Sequence, residues 1–211
     1  MEIIKVQLGR AVWLFDTQAL NPRGTSLYPD LYVGFGKRYQ FVTLPKPEEI
    51  LAGGSMYFKQ GRFLHELSNV AVDFELHNDG IVANTRHSTE AASAFLQDVM
   101  DWCKDQLGVT YPANIVKKRV YRSQLVVSMN PNLDSQAEKF GQFASLVSEI
   151  IAKPSQVTGM QFGSQEIPEA FIVERKATDT PLEDNNYIAN AWMQTSQHLE
   201  LLRRFEEIMA A

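Results

Sequence analysis

The chain has very little cysteine: Cys103 is its only one, so an intrachain disulfide and a multi-cysteine zinc site are both excluded. It has no apolar run near the roughly 18 residues that a bilayer span requires. The opening Met1-Glu2-Ile3-Ile4-Lys5 lacks the charged start and apolar core of a signal peptide. A cytoplasmic location without membrane association is therefore expected. Surplus cations are missing as well: 20 Lys and Arg face 25 Asp and Glu, for a net charge of −5. Binding to nucleic acid usually rests on surplus Lys and Arg, so it is disfavoured. Gly34-Phe35-Gly36 is followed by neither the Rossmann spacing nor a Walker lysine, so no phosphate loop is read there.

What is present is the composition of a folded protein, 45% hydrophobic and 21% charged. The first 86 residues read mostly as strands. Ile3 to Leu8 and Ala11 to Phe15 are β-type runs separated by Gly9-Arg10. Asn21-Pro22-Arg23-Gly24 is turn chemistry, and Leu31 to Leu44 is an aromatic and β-branched stretch interrupted by Gly34 and Gly36. Lys46-Pro47-Glu48-Glu49 can open one helical turn, which Gly53-Gly54 ends. Met56 to Phe63 reads as a hairpin arm broken at Gln60-Gly61.

Val70 to Arg86 carries the clearest local signal. Asp79-Gly80 lies between two alternating runs, so a two-residue hairpin turn at Asp79-Gly80 is expected. That register sets Leu76 opposite Ala83, Phe74 opposite Thr85, Asp73 opposite Arg86 and Glu75 opposite Asn84. It buries Val72, Phe74, Leu76, Ile81 and Ala83 on one face. The other face carries Asp73, Glu75, His77, Asn84 and Arg86.

Three main helices follow. Ser88 is placed to cap the first and Gly108 to stop it, with Ala92, Phe95, Leu96, Val99, Trp102, Cys103 and Leu107 as the apolar stripe. A strand from Ile115 to Met129 leads through Asn130-Pro131 to a Ser135/Glu138 capping box. The helix after it should bury Phe140, Phe143, Ala144, Val147, Ile150 and Ile151 and end at Lys153-Pro154. Val157 to Phe162 and Ala170 to Arg175 read as paired strands, followed by a polar linker from Thr178 to Asn186. Tyr187 to Gln194 fits either a strand or a first helical turn, and Thr195 to Met209 is helical. A shift of 106 residues lays Thr89 on Thr195 and Leu96 on Leu202, a weak internal repeat. The expected architecture is a single α+β domain over residues 1–211. Antiparallel hairpins occupy residues 1–86 and strand–helix units occupy residues 87–211.

Four constellations bear on chemistry. Asp73, Glu75 and His77 share a strand face with metal-ligand spacing, but cross-strand pairing favours a solvated face. Glu174 and Lys176 end an apolar strand as Glu-x-Lys, which in a metal-dependent nuclease or phosphodiesterase binds the cation and stabilises charge at the phosphate. Such a site also needs a second acidic residue, for which Asp134 and Glu149 are the remote candidates. Lys117, Lys118, Arg119 and Arg122 alternate across a strand, which splits their charge between two faces. Cys103 lies on the apolar stripe of a helix and reads as a packed core residue rather than a nucleophile, and His198 has no obvious Ser or Cys partner in sequence context.

No metal site and no cofactor is expected. The leading expectation is a non-enzymatic interaction or assembly protein of prokaryotic or mobile-element origin, binding a protein partner or itself as a homo-oligomer. Leu199, Leu202, Phe205 and Met209 on the last helix are its candidate interface. The alternative is the Glu174/Lys176 nuclease.

Overall fold

The computed structural model describes the chain apart from residues 23–26, 47, 49–54, 130–137, 154, 156, 168, 177–184 and 211. Side chains at 21, 22, 27, 28, 138–141 and 210 are not described either. The Arg23-Gly24 turn, most of the Lys46-Pro47 and Gly53-Gly54 segment, the Ser135 cap, Asp134 and most of the Thr178 linker lie outside the described residues.

The fold is α+β. Its strands are β1 (Glu2–Leu14), β2 (Asn21–Pro22), β3 (Met56–His65), β4 (Ser68–His77), β5 (Gly80–Thr85), β6 (Val109–Thr110), β7 (Lys118–Ser128), β8 (Gly159–Phe162), β9 (Phe171–Arg175) and β10 (Asn186–Ala191). The helices are α1 (Leu27–Tyr39), α2 (Thr89–Leu107), α3 (Glu138–Ile151) and α4 (Thr195–Ala210). Residue contacts divide the chain into a first unit, Leu8–Arg122, and a second, Met1–Gln7 with Ser123–Ala211. Within the first unit the hydrogen-bonded strand order is β3-β4-β5-β1, within the second it is β7-β10-β9-β8, and β1 and β7 each contribute residues to both units.

The two units share one chain topology. In the first, β1, α1, β3, β4, β5 and α2 follow in sequence, with β5 between β1 and β4. In the second, β7, α3, β8, β9, β10 and α4 do the same, with β10 between β7 and β9. The 106-residue shift that superposes the starts of α2 and α4 also lays β5 on β10, residue for residue. The weak sequence repeat therefore coincides with a repeated strand–helix order.

In the first unit α1 is a correction, because its aromatic residues and glycines read as strand. Leu31, Phe35 and Tyr39 recur at four-residue spacing and are all buried, so the periodicity that counts is helical. Gly34 admits the ring of Trp102 from α2: a Cβ there would lie 2.2 Å from Trp102 Cη2. Phe35 packs edge-on to Phe74 at 5.4 Å and tilted against Trp102 at 5.2 Å. Each fully buried ring of this kind contributes about 1.5–3 kcal/mol. β1 is also one uninterrupted strand; Gly9 lies where a Cβ would meet the Ser88 backbone at 2.4 Å. α2 has the expected ends, with the Ser88 hydroxyl accepting from the Ala91 N–H and Gly108 at φ 64°.

The β4–β5 hairpin keeps its expected faces but not its register. Asn78 and Asp79 form the turn, His77 pairs with Gly80, Phe74 with Ala83 and Asp73 with Asn84. This is a shift of two residues, which preserves the side-chain parity and so leaves Val72, Phe74, Ile81 and Ala83 buried. The Asp79-Gly80 turn yields because Gly80 is needed beside β1: its φ is +157°, and a Cβ would lie 2.2 Å from the Trp13 carbonyl oxygen. β3 bulges between Phe58 and Gly61, where Gln60 has φ 57° and donates its N–H to Asp73 Oδ1 at 2.7 Å.

In the second unit Leu125, Val127, Phe171, Val173, Tyr187 and Leu202 form the buried cluster. Residues 186–191, ambiguous by pattern, are strand β10. α3 ends before Lys153 as expected, but the described part of its stripe is largely exposed: Phe143 is 65% and Ile150 84% exposed, with Leu146 and Ile151 also exposed. Ala144 and Val147 are half-buried. Periodicity marks a helix with an apolar face and carries no information about what covers that face.

Candidate functional site

The outer face of the first unit, opposite its core, holds a connected polar chain. Met56 pairs with Leu76, so the residue before it, Ser55, stands across from His77. Ser55 Oγ lies 2.6 Å from His77 Nδ1, and His77 Nε2 lies 3.0 Å from Glu75 Oε2. Glu75 Oε1 accepts from Asn84 Nδ2 at 2.9 Å, and Asn84 Oδ1 accepts from Arg10 at 3.3 Å. Arg10 itself stands 3.7 Å from Glu75. The Tyr57 ring meets the imidazole edge-on, with centroids 5.9 Å apart. Asp73, read with Glu75 and His77 as one cluster, serves the β3 bulge instead. Among the described residues no group of three His, Cys, Asp or Glu side chains could hold a metal ion.

The register places Glu174 and Lys176 at the corresponding points of the second unit. Glu174 pairs with Ile188 of β10 as Glu75 pairs with Val82 of β5, and Asn190 corresponds to Asn84. Glu174 is exposed, and its neighbours across β8 and β10 are Gly159 and Ile188, neither of them acidic. Glu149 lies on α3, and Asp134 is outside the described residues.

Two buried titratable groups stand apart from these faces. His198 has no exposed surface; its Nδ1 lies 3.0 Å from Ser123 Oγ, and its Nε2 has no hydrogen-bond partner among the described residues. Burial pushes its pKa down to about 4. The corresponding places in the first unit hold Gly9 and Ala92, both small. Cys103 packs in the first core, and burial pushes its thiol up to about 12, which opposes the thiolate a nucleophile needs. Tyr39, raised chiefly by burial and then by its bond to Asp98, is held neutral.

Within the basic run, Arg119 stacks over the Trp13 ring at 4.5 Å, and the Lys117 backbone N–H donates to the Leu14 carbonyl. On α4, Leu202 is fully buried, and Leu199, Phe205 and Met209 pack half-buried against the second core. Leu201 and Ile208 on the same helix are exposed. An open groove of about 490 Å³ adjoins the β4–β5 turn, lined by Leu14, Phe15, Asp16, Gln18, Asn78, Asp79 and Lys117.

None of the described helices is long and apolar enough to cross a membrane. Comparison with models of known families finds no match, and comparison with curated proteins finds none either.

Proposed function

We propose that the chain works through protein–protein contact, as an interaction or assembly protein, and that its partner on α3 is a second copy of itself. The observation that carries this reading is the exposed row Phe143, Leu146, Ile150 and Ile151. Large apolar side chains that stand free in one row on a helix mark a contact surface more often than a tolerated exposure. From residue 142 to 151 the helix carries a single charge, Glu149, in a chain of net charge −5. Two copies therefore repel each other least where these rows meet, and a strongly charged partner finds little there to pair with. The α4 stripe has a divided part in this reading. Leu202 holds the helix to its own core, whereas Leu199, Phe205 and Met209 retain partial exposure and can join a contact without unfolding.

The test is the molar mass by light scattering across a wide concentration range, for the parent chain and for Ile150→Glu. A dimer or larger species that Ile150→Glu converts to monomer, with an unchanged melting temperature, is the expected result. A parent chain that stays monomeric at every concentration removes the proposal.

A further inference from the structure

We propose that Ser55, His77 and Glu75 form a nucleophile–base–carboxylate relay that cleaves small carboxylic esters by acyl transfer through Ser55. The order of groups is what such chemistry requires: a hydroxyl within reach of a ring nitrogen, whose other nitrogen is held by a carboxylate. Glu75, accepting from Nε2–H, selects the tautomer in which Nδ1 carries a lone pair, and that nitrogen is the one facing Ser55 at 2.6 Å. Glu75 is itself oriented by Asn84 and Arg10 on the next two strands. Glu75 and His77 share one face of β4, and Ser55 immediately precedes β3, whose first pair is Met56 with Leu76. His77 and Ser55 are only half-buried, so an ester can reach them from solvent. In the second unit the same register sets Val157 opposite Lys176 beside Glu174, which leaves the carboxylate but neither nucleophile nor imidazole. Cross-strand pairing of a solvated face, as such, does not call for the Ser–His combination.

In the step itself, Ser55 Oγ bonds to the ester carbonyl carbon while His77 Nδ1 takes the hydroxyl proton, and Glu75 stabilises the imidazolium. Collapse of the tetrahedral adduct breaks the bond to the leaving oxygen, which takes the proton from His77. Water then attacks the acyl-Ser55 ester with His77 as base, releasing a carboxylic acid and restoring Ser55.

The experiment treats the whole chain with a fluorophosphonate probe, maps the modified peptide by mass spectrometry, and follows p-nitrophenyl acetate hydrolysis in parallel. The expected result is a single label on Ser55 and hydrolysis that falls about 100-fold in Ser55→Ala and His77→Gln, the scale of a lost general base. Circular dichroism and melting temperature establish that both variants are folded. If the parent chain takes no label, or if Ser55→Ala hydrolyses the ester as fast as the parent, the relay is only a structural clasp between β3 and β4 and the proposal fails.

Discussion

Ser123 on β7 and His198 on α4, separated by 75 positions in the chain, meet at 3.0 Å with no exposed surface on either residue. The pair couples stability to pH in a definite direction. In the folded chain the pKa of His198 is about 4, against about 6.5 when unfolded. Between these values the unfolded chain binds a proton that the folded chain refuses, so stability is present above pH 6.5 and is lost as pH falls toward 4. The full difference amounts to about 3 kcal/mol. Urea midpoints measured from pH 7.5 to 4 should fall more steeply for the parent than for His198→Gln, because the other histidines titrate in both. Parallel curves would show that His198 accepts a proton in the fold.

Gly80→Val should destabilise the first unit by roughly 2 kcal/mol or more, since it adds a side chain at φ +157° and directs it at the Trp13 carbonyl. Urea denaturation measures this, and an unchanged midpoint would contradict the pairing of β5 with β1.

The β3–β4 turn runs the other way. Glu66 and Leu67 both have positive φ, 47° and 68°, in a two-residue turn that favours Asn-Gly, and Leu67 is 97% exposed. Replacing the pair with Asn-Gly should therefore raise stability by about 1 kcal/mol, because it relieves left-handed strain and removes no buried contact. A lowered midpoint would mean that Glu66 or Leu67 makes a contact worth more than the strain.

Gly34→Ala tests the close approach of α1 and α2. Alanine favours a helix interior by about 1 kcal/mol, but its methyl would overlap the Trp102 ring. The overlap should win, with a net loss of about 1–2 kcal/mol on the scale of overpacked cores. Combining Gly34→Ala with Trp102→Leu should cost less than the two changes summed, which a double-mutant cycle measures by denaturation.

These positions also show what could be read without the structure. The faces of β4 and β5 were legible because alternation has a period of two and survives a two-residue slip. The register was not, because the strongest local turn signal lost to the docking of Gly80 on β1. Leu31, Phe35 and Tyr39 had helical spacing in plain view, yet Gly34 and Gly36 argued locally against a helix. The reason for Gly34 lay on Trp102, in another element. Ser55 stood 22 positions from His77, and only the β3–β4 pairing brings them together. The α3 stripe is visible as a pattern, and a pattern does not say what lies against it.

The division of β1 between two units sets the order in which the chain can be finished. Its second half, Leu8 to Leu14, finds its strand partner β5 by residue 85, whereas Met1 to Gln7 belong with residues from Ser123 onward. At roughly 5–20 residues per second, the 126 residues from 85 to 211 take about 6–25 s to translate, and Met1 to Gln7 wait that long for their unit to be made. Until then the backbone N–H and C=O groups of Met1 to Gln7 lack the unit they belong to, and an unpaired strand edge is a template for any other strand that arrives first.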